Sequence, residues 1–115
     1  MADTQVDHKA LSALREVMED SYPELLDTFL ADSENRLREL QQTADADALS
    51  RVAHSFKGSS SNMGATRLAV LCQELEQHAK DKSPSEIIKL VADIHREFDD
   101  VRPVYVAERQ RSLTH

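Results

Sequence analysis

Glycine and proline, the residues that mark most turns, are scarce in this chain. Its 115 residues include two glycines and three prolines, so few positions are suited to tight turns. Leu, Ala, Glu, Gln, Arg and Lys, which all favour helices, dominate the remaining sequence. The composition therefore predicts an all-helical fold, and the length predicts a single domain with one core over residues 1–115.

Apolar residues recur at helical spacing in five segments. The segments are a short one from Leu11 to Val17 or Met18, a second from Ser21, a third from about Asp45 to Met63, a fourth after Gly64 and a fifth from Ser83. The second and fifth open with Ser-x-x-Glu capping boxes that contain a proline in the first turn. Short links between long amphipathic helices predict an antiparallel up-and-down four-helix bundle, with the short N-terminal helix laid across it.

Pro103 interrupts the apolar pattern of the fifth segment. Proline removes a backbone donor and crowds the carbonyl four residues earlier, so we expect a kink or an end of this helix near Arg102. The tail from Glu108 to His115 is polar, and we expect it to fray.

Charge and hydropathy exclude several classes of partner. The net charge of −7 repels phosphate backbones, so we expect no nucleic acid partner. No apolar run is long enough to span a bilayer, and the first residues lack the pattern of a signal peptide, so we expect a cytosolic protein without a membrane partner. The single cysteine, Cys72, falls on an apolar helical stripe, which predicts a buried thiol.

Both glycines lie close to one histidine in the third helical segment. On a helical wheel the stripe of Leu49, Ala53, Phe56 and their neighbours keeps its phase across Gly58. Gly58 is therefore predicted inside the helix, and Gly64 is predicted to end it. The wheel places His54 opposite the core, with Lys57 and Gly58 one turn further along the same face.

This combination predicts a phosphoryl-accepting histidine. A neutral imidazole has one nitrogen free to act as a nucleophile, and an ammonium three residues later can partly neutralise a phosphoryl group. A glycine four residues later leaves room for the active site of another protein. The simpler interpretation is that His54 is one surface residue among many.

The run Ala53-His54-Ser55-Phe56-Lys57-Gly58, followed by Gly64, Leu68, Cys72, Leu75 and Glu76, resembles the histidine-containing phosphotransfer (HPt) domain of bacterial two-component phosphorelays. The resemblance covers essentially the whole chain. It implies that His54 accepts a phosphoryl group from a receiver-domain aspartate and passes it to an aspartate of another response regulator. It further implies that Lys57 lies near the phosphoryl oxygens and that Gly58 leaves room for the receiver domain.

Glu76 stands where many members of this family carry glutamine, and in this respect the chain is more similar to the phosphotransfer domain of chemotaxis kinases. A carboxylate there can accept a hydrogen bond from Nδ1–H of His54, which leaves Nε2 as the nucleophile. Gln73, one turn earlier, is a second candidate for this orienting role. The alternative is that Glu76 is a solvated surface acid.

No cofactor is expected on this chain. His8, His78, His95 and His115 form no pair at metal-ligand spacing, so we predict no metal site. No ATP-binding loop can be built from two glycines placed as these are, so the chain is predicted not to be an enzyme in its own right. Mg²⁺ is expected only on the partner receiver domains, which belong to hybrid sensor histidine kinases and response regulators.

Two rival functions remain open at this stage. One is a non-phosphorylated helical adaptor that binds partners through the His54 face, and a more distant one is a metal-dependent bundle enzyme. Because the chain begins with methionine and shows no flanking kinase or receiver, we expect a stand-alone, monomeric protein. A domain excised from a larger protein is the alternative.

Overall fold

The computed structural model describes residues 5–113, and all its regular elements are helices. They are α1 (His8–Met18), a 3₁₀ turn (Glu19–Ser21), α2 (Tyr22–Gln42), α3 (Ala46–Asn62), α4 (Thr66–His78) and α5 (Pro84–Leu113). The predicted all-helical fold is confirmed. None of the helices in this range is both long and apolar enough to cross a bilayer.

Helices α2 to α5 form the predicted antiparallel four-helix bundle. Helix α2 packs against α3 and α5, and α4 packs against the same two helices. Glu34 of α2 pairs with Arg102 of α5, whereas Gln41, two turns further along α2, contacts His95, which lies earlier in α5. The partners thus run in opposite directions, as short links between neighbouring helices require.

The core is built from the apolar stripes of all five helices. Its largest fully buried side chains include two tyrosines and two phenylalanines, Tyr22, Tyr105, Phe56 and Phe98. The rings of Phe29 and Tyr105 pack with centroids 4.9 Å apart. Cys72 is buried, as predicted, and burial raises the pKa of its thiol to about 12.

The N-terminal helix is fixed at the end of the bundle where α3 meets α4. Asp7 caps α1 by accepting hydrogen bonds from the backbone N–H groups of Lys9 and Ala10. The N–H of Asp7 donates to the carbonyl of Gly64 at 2.7 Å. Leu11 is buried, whereas Val17 points to solvent, so Met18 and not Val17 continues the apolar side of α1.

The two predicted capping boxes have different outcomes. At the start of α5 the box is formed, because the Ser83 N–H donates to Glu86 and the Glu86 N–H donates to the Ser83 hydroxyl. At the start of α2 the prediction is wrong, because Ser21 has helical backbone angles and makes no side-chain capping bond. A capping residue needs extended backbone angles, and the 3₁₀ turn that runs directly into α2 denies them to Ser21.

Of the two outcomes predicted near Arg102, an end of the last helix is wrong, and a kink stays a prediction. Helix α5 continues through Pro103 to Leu113. Pro103 and Asp99, whose carbonyl loses its helical donor, are both exposed, so water can satisfy that carbonyl. The expected fraying of the tail from Glu108 is wrong as well, because Glu108 is buried and accepts a hydrogen bond from the Tyr22 hydroxyl at 2.9 Å. His115 lies outside the described residues.

Candidate functional site

Helix α3 carries the central histidine and has well-defined ends. Asp45 caps its start by accepting a hydrogen bond from the Ala48 N–H at 3.0 Å. Gly64 follows its end with a φ of +76°, the left-handed conformation that favours glycine. Both observations confirm the predicted extent of the helix.

Gly58 lies in the interior of α3, as the wheel predicted, and it is exposed. A Cβ atom built at this position would meet nothing within 4 Å. The fold therefore gives no steric reason for a glycine here. Its predicted role in receiver clearance stays a prediction.

His54 projects from α3 into solvent, with 68% of its side chain exposed. Its Nδ1 lies 2.7 Å from Oε2 of Glu76 on α4. An ionised carboxylate can only accept a hydrogen bond, so a neutral imidazole in this position carries its proton on Nδ1. The lone pair is then on Nε2, the nitrogen that points away from Glu76.

Lys57 is held by the same carboxylate. Its Nζ lies 2.8 Å from Oε1 of Glu76, so each oxygen of Glu76 has one partner. The hydrogen bond from Lys57, followed by the one from His54, lowers the pKa of Glu76 below its ordinary value, although partial burial acts in the opposite direction. Glu76 is consequently ionised at neutral pH and available as an acceptor.

Two further contacts join α3 to α4 and to the turn after it, both on the side of this group toward the start of α3. The hydroxyl of Ser50 donates to the backbone carbonyl of Glu76 at 3.1 Å, and Lys80 pairs with Asp47 at 3.0 Å. Ser50 lies one turn before His54 on α3, so the first contact fixes the backbone of Glu76 close to the histidine. Neither contact, nor the Lys57–Glu76 pair, is predictable from the helical wheel of α3, because a wheel of one helix does not show which residues of the next helix lie opposite.

Gln73 is exposed on α4, and within residues 5–113 it has no hydrogen bond to His54. The structure places Glu76, and not Gln73, against the imidazole. The orienting role of Gln73 is therefore a prediction that the geometry does not support.

Two of the other described histidines have partners of their own, and His8 is exposed at the start of α1. His78 lies 3.3 Å from Asp81 at the end of α4, and Nδ1 of His95 lies 2.7 Å from the side-chain amide of Gln41. Across the described part of the chain, no three His, Cys, Asp or Glu side chains are grouped so that they could hold a metal ion.

Comparison with known proteins gives a consistent family. The Hpt domain family matches residues 24–102. The crystal structure of histidine-containing phosphotransfer protein B from Pseudomonas aeruginosa is 51% identical, with a TM-score of 0.88 over 93% of this chain and 96% of that one. A histidine-containing phosphotransfer protein from maize is 26% identical, with a TM-score of 0.83 over 95% of this chain and 92% of that one.

Histidine-containing phosphotransfer protein 2 from rice is 26% identical in an alignment of 84 residues that covers 69% of this chain. The alignment covers 56% of the rice protein, so the chain spans a little over half of that relative's length. The Hpt match, in contrast, includes all of α3 and α4 and therefore His54, Lys57, Gly58 and Glu76. The chain belongs to the Hpt domain family of histidine phosphotransfer proteins.

Proposed function

We propose that the chain is a phosphorelay intermediate that is phosphorylated on Nε2 of His54. It takes the phosphoryl group from a receiver-domain aspartate and transfers it to an aspartate of another response regulator. The observation that carries this proposal is the contact between Nδ1 of His54 and Glu76, because it leaves Nε2 unprotonated on an exposed ring. Hpt proteins are relay intermediates and not classical enzymes, which agrees with this assignment.

The neighbouring side chains fit the needs of the transfer. Lys57 is three residues from His54 on the same helix, where its ammonium can approach phosphoryl oxygens. The bare backbone at Gly58 leaves space one turn from the ring for an incoming protein. The partners are receiver domains of hybrid sensor histidine kinases and of response regulators, and they supply the Mg²⁺. The cytosolic location and the monomeric state stay predictions.

The rival function is an adaptor that binds partners through the same face without carrying phosphate. An adaptor needs an exposed face but does not need a particular tautomer of His54. The fixed Nδ1 contact therefore favours phosphotransfer over the adaptor.

The deciding experiment is phosphoryl transfer to His54→Gln from a phosphorylated receiver domain. We expect the variant to take no label and to bind the receiver. Because His54 is exposed, its unfolding free energy should change by no more than about 0.5 kcal/mol. The matched control is His95→Gln, which replaces a histidine on the α2–α5 side of the bundle and should be labelled like the wild type.

Labelling of His54→Gln at the wild-type rate would show that the phosphosite is elsewhere. Binding of receivers without labelling of the wild-type protein would favour the adaptor. A His54→Gln variant that melts far below the wild type would contradict the exposed position of this ring.

A further inference from the structure

The carboxylate of Glu76 contacts two side chains, His54, which is phosphorylated in the proposed function, and Lys57, which is not. Oε2 accepts from Nδ1 of His54 at 2.7 Å, and Oε1 forms an ion pair with Nζ of Lys57 at 2.8 Å. About a quarter of the Glu76 side chain is exposed. The carboxylate is thus fixed beside Nδ1, the ring atom that does not receive the phosphoryl group. In this position its charge can act on the ring after His54 is phosphorylated.

We propose that Glu76 favours the protonated Nδ1 of phosphorylated His54, so that the phosphoryl group is carried on an imidazolium ring over a wider pH range and can leave quickly. The proposal rests on the proposed function, because it concerns the phosphorylated state of the same histidine. It makes Glu76 a positioning residue whose charge acts on the ring, beyond its effect on the tautomer.

The bonding changes make the role of this proton explicit. The lone pair of Nε2 attacks the phosphorus of the acyl phosphate, the N–P bond forms, and the P–O bond breaks with its electron pair going to the donor carboxylate. The ring keeps its proton on Nδ1 and so gains one positive charge. When an acceptor carboxylate attacks the phosphorus, the N–P bond breaks and its electron pair returns to Nε2. The leaving group is then neutral imidazole, and no proton has moved.

Loss of the Nδ1 proton would change the leaving group. A phosphorylated ring without that proton is neutral, and breaking its N–P bond would release an imidazolate anion. Because imidazolate is a much stronger base than imidazole, onward transfer from the neutral ring is slower. The relay therefore works fastest below the pH at which Nδ1 of the phosphorylated ring loses its proton.

The charges around the ring come from α3, from α4 and from the turn after α4. On α3 they are Asp47, Arg51 and Lys57, on α4 there is Glu76, and Lys80 lies in the turn after α4. Asp47 and Lys80 pair with each other at 3.0 Å, so their charges largely cancel. Among residues 5–113, Glu76 is the carboxylate within ion-pair distance of His54. A carboxylate at this distance favours the cationic ring, whereas the ammonium of Lys57 opposes it.

The test follows the Nδ1 proton directly. The folded protein is labelled with ¹⁵N in histidine and phosphorylated with potassium phosphoramidate, and the ring of His54 is assigned by its absence from His54→Gln. The midpoint of Nδ1 deprotonation is then measured by NMR between about pH 6 and pH 10. In Glu76→Gln the amide can still accept from Nδ1–H but carries no charge. We expect its midpoint to fall by about one pH unit, since the site is partly screened by water.

Two control variants separate the charge of Glu76 from a general disturbance of the site. Glu74→Gln removes a nearby carboxylate of α4 that pairs with Lys82, and the midpoint should not change. Lys57→Ala should leave the midpoint at or above the wild-type value, because it removes a positive charge from the ring's surroundings. A site that is merely disturbed would lower the midpoint in both Glu76→Gln and Lys57→Ala.

Onward transfer provides the second readout. At a pH above both midpoints, phosphorylated Glu76→Gln should transfer to a receiver up to about tenfold more slowly than the wild type, because one pH unit is a tenfold change in the protonated fraction. Transfer through His54 with an unchanged Glu76→Gln midpoint would overturn this proposal and leave the proposed function standing. A folded wild-type protein whose His54 takes no phosphoryl group from phosphoramidate or from a phosphorylated receiver would overturn both.

Discussion

The two glycines of the chain, Gly58 within α3 and Gly64 just after it, occupy their positions for different reasons. Gly64 has a φ of +76°, and a Cβ there would lie 2.8 Å from the carbonyl oxygen of Asp7. Its backbone conformation and the close approach of the N-terminal segment both exclude a side chain. Gly58 has neither constraint, since a Cβ would meet open space. Because Gly58 weakens the helix and no neighbouring atom requires a glycine there, we expect that the reason lies in the binding of another protein.

Replacement of Gly58 should separate stability from transfer. Gly58→Ala and Gly58→Gln should each raise the unfolding free energy by up to about 1 kcal/mol, because alanine and glutamine form helices better than glycine. Phosphotransfer from a receiver should fall from Gly58 to Ala to Gln as the side chain next to His54 grows. Urea unfolding and transfer assays on the same preparations measure both effects.

The alanine variant serves as the control in this series, because it gains helix propensity with the smallest added volume. Wild-type transfer by Gly58→Gln would remove the clearance argument. A fall in stability for either variant would contradict the open space found around this position.

At this scale the sequence predicts the direction of side chains better than their partners. Periodicity alone places His54 outside the core and Gly58 inside a helix, and the structure confirms both. The contact between Glu76 and His54 could be expected from the family resemblance. The pair of Lys57 with Glu76 could not, because it depends on the axial offset between α3 and α4, which sequence spacing within one helix does not fix.

At the scale of elements, the ends of the helices show what local sequence can determine. Ser21 and Ser83 begin the same Ser-x-x-Glu pattern, yet only Ser83 forms a capping box. The difference comes from the preceding residues, since the 3₁₀ turn before α2 already holds Ser21 in a helical conformation. Pro103 is a similar case, because whether proline ends a helix depends on whether water can reach the carbonyl that it frees. The capping box at Ser21 and the helix end at Pro103 both failed because the surroundings, and not the local pattern, decide.

The two serines provide a matched pair of stability measurements. Ser83→Ala should lower the unfolding free energy by about 1 kcal/mol, because the Glu86 N–H loses its hydroxyl acceptor. Ser21→Ala should change it by less than about 0.5 kcal/mol, because Ser21 makes no capping bond. Chemical unfolding of both variants, followed by circular dichroism, is sufficient. Equal losses would show that Ser21 caps α2 in solution after all.

At the scale of the whole molecule, the end of α5 connects the end of α3 to the start of α2. The Hpt family match ends at residue 102, but the residues that follow make long-range contacts. The hydroxyl of Tyr105 donates to the Met63 carbonyl at 2.7 Å, which fixes the end of α3. The hydroxyl of Tyr22 at the start of α2 donates to Glu108. The turn after α3 is thus held by α5 on one side and by the Asp7 N–H at Gly64 on the other.

Removal of this segment should therefore cost far more than its position near the C-terminus suggests. A chain that stops at Arg102 loses the fully buried ring of Tyr105 and leaves Tyr22 without its acceptor. Loss of one buried aromatic side chain typically costs about 3–5 kcal/mol, a large part of the roughly 5–15 kcal/mol that stabilises a domain of this size. We expect the truncated chain to melt well below the wild type or not to fold. A chain that stops at Leu113 keeps these contacts and should melt like the full chain. Thermal melts of both truncations test this, and a chain ending at Arg102 with wild-type stability would show that the α5 extension is dispensable for the bundle.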